Sequence, residues 1–341
     1  MVKARKYVVK NYFDGVPKRS DYDIVEVELP PLQNGEVLVK AEWISVDPYL
    51  RIRNGFGSVP YDQYGFQVGV VQESRDSDYP VGTKVVTHNG WCDYSIARDQ
   101  RKFEERTDGM PEMLLYKLPD LKGLSPSLGV GTIGMPGATA YFAFLEICKP
   151  KAGETVVVTG AAGAVGSLVG QIAKLKGCRV IGFAGSDEKV QWLEQELGFD
   201  KALNYKTVDA RAALKAAAPN GVDCYFDNVG GELSSIIIEQ MNTRGRVSVC
   251  GSISCYNEYP SKLPKATILQ TFLIFKELKI EGFKVWTWMD QWQVAFDQLV
   301  DWIKSGQIKA PEHVTVGFDN LFDALIGMLA GENFGKAVVQ I

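Results

Sequence analysis

The sequence predicts an α/β protein in two parts, a strand-rich N-terminal segment followed by a doubly wound parallel sheet. Three observations carry this. The stretch Thr155 to Gly177 reads strand, turn, helix: Val156, Val157, Val158 and Thr159 stop at Gly160, glycines recur at Gly163 and Gly166, and Val165, Leu168, Val169, Ile172 and Leu175 then follow a helical period. Strand and helix patterns alternate with short connections from about Ser125 to Gly306, as repeated βα units do. Residues 1 to about 120 instead show short apolar runs between turn residues, with little helical periodicity, which reads as a β barrel or sandwich.

Taken in order, the first part offers strands in YVVKNYF, YDIVEVEL, EVLVKAEWISV, FQVGVVQES and KVVTHNGWCDYSIA. Turns are marked by Pro30-Pro31, Asn34-Gly35 and Val81 to Lys84. The segment Ser45 to Gly57, SVDPYLRIRNGFG, has the composition of a ligand-contacting loop on a rigid scaffold. In the second part, Pro136 to Ile147 forms a short buried helix. After the glycine turn come strand RVIGFAG and helix SDEKVQWLEQELG, with Ser186 as N-cap and Lys189 at the third helical position. There follow strand KALNY, a helix over 210–218, strand VDCYFDNVGG, helix LSSIIIEQMN, strands GRVSVCGSI and LKIEGFKV, and a helix over 290–304. The tail from about Ala310 closes with helix NLFDALIGMLAG and strand KAVVQI. That strand follows a completed parallel sheet and needs another partner, which the N-terminal β segment supplies.

Composition bounds the function. The 341 residues suffice for two domains, and the net charge of −4, from 37 basic and 41 acidic residues, gives no basic stripe for nucleic acid or an anionic membrane. The uncharged stretch Gly123 to Leu145 is long enough for a membrane span, but its glycines with Pro126 and Pro136 make it a loop and a short helix. MVKARKYVVKNYFDG has no signal-peptide core, so a cytoplasmic protein is expected. Cys92, Cys148, Cys178, Cys224, Cys250 and Cys255 form no CxxC pair and read as reduced thiols. With only His88 and His313 available, no metal site is expected; His88 and Cys92 stand four apart and read as a polar strand histidine and a small buried thiol.

Ligands in such sheets bind beyond the carboxyl ends of the strands. The glycine turn leaves N–H groups at a helix N-terminus, where the macrodipole favours an anion such as a pyrophosphate. Its Gly160-x-x-Gly163-x-x-Gly166 spacing is a variant of the dinucleotide fingerprint. The second strand ends without a carboxylate for ribose hydroxyls; Ser186 and Lys189 instead suit a 2′-phosphate, which favours NADP(H) over NAD(H). Asp187 argues the other way, or is an ordinary first-turn acid. Asn228 with Gly230 and Gly231 lies under the cofactor or simply forms a turn. Gly251, Ser252 and Tyr256 stand near the nicotinamide end; Tyr256 is a proton donor, a ribose orienter or a packing tyrosine, and Tyr49 has the same double reading. Zinc, or a Tyr/Lys pair of another architecture, would be needed to polarise a simple carbonyl. In an α,β-unsaturated carbonyl the β-carbon takes hydride and one or two donors hold the enolate, so a C=C reductase is the inference.

GMPGATAYF, VTGAAGAVGS, AGSDEK, NYKT, DCYFDNVGG, CGSISCYN and GENFGKAVVQI together resemble the zinc-independent medium-chain dehydrogenase/reductases, in the leukotriene 12-hydroxydehydrogenase/prostaglandin reductase (alkenal/one oxidoreductase) group, over essentially the whole chain. The resemblance implies a GroES-like β-rich catalytic domain over 1–124 and 310–341, a Rossmann NADP(H)-binding domain over 125–309, a cleft active site and a homodimer. It implies NADPH-dependent reduction of 2-alkenals, enones and 15-oxo-prostaglandins, and in some members NADP+-dependent oxidation of a leukotriene 12-hydroxyl. The rival readings are a quinone reductase of the same architecture and a non-catalytic NADPH-binding protein. By matching motif, Gly163, Ala164, Val165, Gly166 and Ser167 would hold the pyrophosphate, and Lys189 and Tyr205 the 2′-phosphate side, to which the strand-end reading adds Ser186. Asn228 and the run Cys250, Gly251, Ser252, Ile253, Ser254, Cys255 and Tyr256 line the cofactor, with Phe283, Lys284, Val285 and Asn333 near the nicotinamide. Tyr256 orients the ribose or relays a proton and Tyr49 faces the substrate. Trp286, Trp288 and Trp292 form a departure, a tryptophan-rich patch that either shapes the substrate site or packs an interface or core.

Overall fold

The computed structural model describes residues 2–52, 54, 58–99, 114–258, 263 and 266–341. The chain divides into two compact units, 1–134 with 312–332 and 337–341, and 135–311 with 333–336. Within the segment Ser45 to Gly57, Arg53 and residues 55–57 lie outside the described residues.

The elements run β1 (Lys3–Val9), β2 (Tyr22–Glu28), β3 (Glu36–Ser45), the single turn α1 (Tyr49–Ile52), β4 (Tyr61–Asp62), β5 (Gln67–Ser74), β6 (Lys84–Thr87), β7 (Tyr94–Arg98) and β8 (Leu115–Lys117). There follow α2 (Met135–Phe142), β9 (Thr155–Thr159), α3 (Ala164–Leu175), β10 (Arg179–Ala184), α4 (Asp187–Gln195), β11 (Lys201–Asn204), α5 (Ala210–Ala217), β12 (Val222–Asp227), α6 (Gly231–Glu239), β13 (Met241–Val249), α7 (Gln270–Lys276), β14 (Lys279–Gly282) and α8 (Trp292–Lys304). The tail gives β15 (Glu312–Val316), α9 (Leu321–Ala330) and β16 (Lys336–Gln340).

In the first unit a three-stranded sheet runs β2-β1-β4 and a seven-stranded one runs β15-β16-β3-β5-β6-β8, with β7 also paired to β3. The apolar run of β3 is buried: Val37, Leu38, Val39 and Ala41 are all inside, with Val37 and Val39 packing with Val71, Val85, Ala97 and Leu115. The closing strand returns as its composition requires, with Val338 to Gln340 antiparallel to Trp43 to Ser45. A second core gathers Tyr7, Tyr22, Trp91, Phe318, Phe322 and Leu325, with Tyr7 edge-on to Trp91 at 5.3 Å. Residues 126–130 form a tight turn of this unit. Gly129 lies so near Val68 and Leu118 that a Cβ there would come within 2.8 Å of either side chain.

The second unit holds a six-stranded parallel sheet in the order β11-β10-β9-β12-β13-β14. All of β9 is buried, as a central parallel strand with both faces covered must be. α3 packs closely on its neighbours through Gly170, where a Cβ would strike the Phe199 ring. Two expected boundaries shift. The helix expected over LSSIIIEQMN ends at Glu239, because Met241 is already paired with Val222. The helix expected from Asp290 begins at Trp292, after a 3₁₀ segment over Val285–Gln291. α7 and β15 had no periodic signal: TFLIFK is apolar on several faces, and EHVTV is short and mostly exposed. Among the described residues no helix is long and apolar enough to cross a membrane. All six cysteines are free thiols.

Candidate active site

The site is built at the carboxyl ends of β9, β10, β12 and β13. β9 stops at Thr159, Gly160 turns the chain at φ +59°, and α3 starts at Ala164 with Gly163 as its N-cap and no capping side chain. Its first-turn N–H groups therefore have no intrahelical acceptor and aim the positive end of the helix outward. Gly166 makes this closeness possible. A Cβ there would lie 2.3 Å from the Gly160 carbonyl oxygen and 2.9 Å from the Ala161 Cα. Gly163, Ala164 and Val165 are half-buried, while Gly166 and Ser167 are buried. Asn333 belongs to this end of the unit. Its buried amide donates to the Gly335 carbonyl at 2.7 Å, and the Gly335 N–H donates to Ala162 O at 2.8 Å, so the 333–335 loop braces the glycine turn.

At the end of β10, Ser186 caps α4 by accepting from the Lys189 N–H at 3.3 Å. Lys189 is only 9 % exposed, and its ammonium lies 5.6 Å from the centre of the Phe334 ring. Tyr205 is 45 % exposed, and its hydroxyl would be 3.2 Å from a Cβ on Gly185; Lys206 Cε would be 3.4 Å from the same point. Lys206 is thus a residue of this seat that sequence reasoning passed over, although its position directly after Tyr205 at a strand end was a usable signal. Burial, and then the field of Lys206, lowers the Lys189 pKa below the ordinary lysine value. Asp187, the possible ribose ligand, instead accepts the Asn204 amide at 2.7 Å. An uncapped helix N-terminus beside a buried lysine, a tyrosine and a second lysine fits a pyrophosphate with a further phosphate, which is the anion set of NADP(H).

At the end of β12, Asn228 bridges to β9: its amide donates to Thr159 O at 2.7 Å and its N–H donates to Thr159 Oγ1 at 3.1 Å. The neighbouring Asp227, not singled out from sequence, is buried. It accepts the N–H groups of Val229 and Gly230 at 2.9 and 2.8 Å and the Ser234 hydroxyl at 2.7 Å. That carboxylate shapes the turn on which the next segment folds. The N–H groups of Ile253 and Ser254 donate to Asn228 O and Val229 O, and Ser254 Oγ donates to Val229 O at 2.6 Å. Burial, followed by the charge of Asp227, pushes the Cys250 thiol up to about 12; Cys255 is half-exposed. Tyr256 curls back over Gly251, its hydroxyl accepting the Ser252 N–H at 3.2 Å and lying 2.8 Å from where a Gly251 Cβ would be. Burial raises its pKa above the ordinary phenol value despite that N–H, so at neutral pH the phenol keeps its proton and can give it.

The other expected residues take separate positions. Phe283 packs on Trp288 at 5.8 Å, Lys284 is exposed, and the carbonyl of buried Val285 accepts the Trp292 indole N–H at 3.3 Å. Trp288 stacks on Phe142 at 5.7 Å, and Trp286 and Trp292 lie 5.3 Å apart, so the tryptophans pack within their own unit. Tyr49, in the first unit, lies against Tyr64 at 5.7 Å; its buried hydroxyl has no hydrogen-bond partner among the described residues. Burial and then Asp47 raise its pKa well above the phenol value. His88 packs edge-on to Phe66 at 4.6 Å, and the Cys92 sulfur lies 3.1 Å from the Gln67 amide nitrogen. Among the described residues no three His, Cys, Asp or Glu side chains gather to hold a metal.

Comparison with known proteins agrees with this geometry. A family model described as the N-terminal domain of oxidoreductase matches residues 5–105, and one described as zinc-binding dehydrogenase matches residues 164–305. The chain is 49% identical to prostaglandin reductase 1 of Bos taurus over 100% of both chains. It is 38% identical to the NADP(+)-dependent 2-alkenal reductase of Nicotiana tabacum, over 100% of this chain and 98% of that one. Among solved structures, CurA of Vibrio vulnificus in complex with NADPH superposes with a TM-score of 0.87 at 35% identity, covering 98% of each chain.

Proposed function

The chain belongs to the medium-chain dehydrogenase/reductase family, in its prostaglandin reductase and alkenal reductase branch, and from that membership we propose that it reduces the C=C bond of α,β-unsaturated aldehydes and ketones with NADPH. The substrate class is 2-alkenals, enones and 15-oxo-prostaglandins. The observation that carries the proposal is the conjunction at one set of strand ends of a glycine turn, two lysines and the Tyr256 phenol. When bound, NADPH supplies the hydride. The chain's part is to hold and polarise. The α3 N-terminus takes the pyrophosphate, while Lys189 and Lys206 with Tyr205 and Ser186 take the 2′-phosphate. Asn228 and the 250–256 segment line the rest of the seat, with Phe283 to Val285 and Asn333. Tyr256 donates toward the oxygen on which negative charge develops as the β-carbon is reduced. Tyr49, with its buried hydroxyl near Asp47, is the substrate-facing tyrosine of the first unit, which serves as the catalytic domain.

The protein acts in the cytoplasm as a homodimer. Free thiols support the location. β14 ends its sheet with one edge unpaired among the described residues, and on and just before α7 Ile268, Ile274 and Phe275 are 76%, 72% and 80% exposed, apolar surface of the kind a second copy covers. The function is tested by following NADPH absorbance with a medium-chain 2-alkenal, with a quinone, and with NADH in place of NADPH. Turnover of the alkenal with NADPH preferred is expected. Turnover of the quinone alone would replace this reading with a quinone reductase.

A further inference from the structure

Lys189 is a long side chain, only 9 % exposed, whose pKa is lowered by burial and by the nearby Lys206. The backbone of Lys189 is fixed by the Ser186 cap, but that restrains only the start of the side chain. At its other end the ammonium sits 5.6 Å from the centre of the Phe334 ring. The ring has an aromatic neighbour as well: Trp192, on α4 with Lys189, meets Phe334 at 5.4 Å and an interplanar angle of 89°.

Phe334 cannot easily drift from this position. Asn333 ties the loop through Gly335 O at 2.7 Å, and Gly335 N–H ties it to Ala162 O at 2.8 Å. Gly335 stands at φ +67°, where a Cβ would come 2.2 Å from Pro311 O, so glycine is what lets the loop pass this close to Pro311. The side chain between Asn333 and Gly335 is therefore presented to Lys189 by the same segment that braces the glycine turn.

We propose that Phe334 is a positioning residue for cofactor selectivity: its ring holds the Lys189 ammonium charged and in place for the 2′-phosphate. This rests on the reading of Lys189 as a 2′-phosphate ligand. An aromatic face stabilises a desolvated cation by electrostatic attraction, so it opposes the loss of charge that burial and Lys206 promote. An aliphatic residue would fill space without supplying that attraction.

The test compares Phe334→Leu, Phe334→Tyr and Lys189→Met in the full chain, measuring KM and kcat for NADPH and for NADH as functions of pH, with thermal melting alongside. Phe334→Leu is expected to raise the KM for NADPH roughly three- to tenfold while leaving kcat and the KM for NADH unchanged. The alkaline rise of its NADPH KM moves to lower pH, because the ammonium is lost sooner, and Phe334→Tyr restores both. If Lys189→Met collapses the NADPH preference but Phe334→Leu matches the parent protein at every pH, the role of Phe334 is wrong and that of Lys189 stands. If Lys189→Met leaves the preference intact, the ligand reading itself falls. Equal losses with NADPH and NADH in Phe334→Leu, unrescued by Phe334→Tyr, would make the ring a packing element and overturn the proposal.

Discussion

Two residues, Tyr256 and Lys189, have their protonation shifted by where the fold puts them. Tyr256 is held as a neutral phenol by burial, with its oxygen already accepting the Ser252 N–H and its proton available. Tyr256→Phe should lower kcat by roughly ten- to a hundredfold, the usual span for a general acid, with little change in the KM for NADPH. Steady-state kinetics with an alkenal will show this, and an unchanged kcat removes Tyr256 from the chemistry. Lys189 gives a pH signature of definite sign. Burial and then Lys206 lower its pKa, so its positive charge is lost as pH rises earlier than that of an ordinary lysine, whose pKa is about 10.4. The KM for NADPH should therefore climb on the alkaline side while that for NADH stays flat. An NADPH KM that stays flat up to about pH 10 would contradict the seat assigned to Lys189. At the scale of single residues the sequence was partly legible. Ser186 and Lys189 stood out because a cap and a third helical position have a fixed spacing. Asp227 and Lys206 did not, because a buried carboxylate serving N–H groups and a lysine after a strand look like any turn acid and any surface charge.

Among elements, the glycine turn and α3 are the feature on which cofactor binding depends. Gly166 is the least yielding point, since a methyl group there meets the Gly160 carbonyl at 2.3 Å and backbone cannot give way as a side-chain tip can. Gly166→Ala should cost about 1–3 kcal/mol of stability, as overpacking does, and should raise the NADPH KM by shifting the α3 N-terminus. Denaturant unfolding together with fluorescence titration by NADPH checks both. Parent-like values in both would mean that the turn has slack that this geometry denies. This strand-turn-helix unit was readable because β-branched residues, glycines and a 3.6-residue period follow one another without interruption. The end of α6 was not, because Met241 and Asn242 continue a helical pattern while long-range pairing with β12 claims them for a strand. α7 was hidden for a related reason: Phe272 and Leu273 face the sheet core while Ile274 and Phe275 face outward, so its apolar residues show no one-sided stripe.

For the whole molecule, the alternation of strand and helix over the middle of the chain and the strand-rich start were enough to predict the two kinds of sheet. The placement of β16 followed from the need of a late strand for a partner. What composition could not convey is where the chain changes unit. Residues 126–130 pack with the first unit through Gly129, and 333–336 go with the second. Both are short glycine-containing segments whose allegiance is decided by close approach and not by hydropathy. The exposed apolar surface on and just before α7 belongs to this scale as well. Light scattering should report twice the chain mass, and Phe275→Asp with Ile274→Asp should shift it toward the monomer. A monomeric parent protein would leave that surface without the proposed occupant.

The central claim is that hydride goes to a carbon of the double bond and not to the carbonyl carbon. It is tested most directly by reducing a 2-alkenal with NADPH deuterated at the transferable position and locating the label by mass spectrometry and NMR. The account predicts a saturated aldehyde carrying one deuterium on the β-carbon. An allylic alcohol with deuterium on the former carbonyl carbon would contradict it.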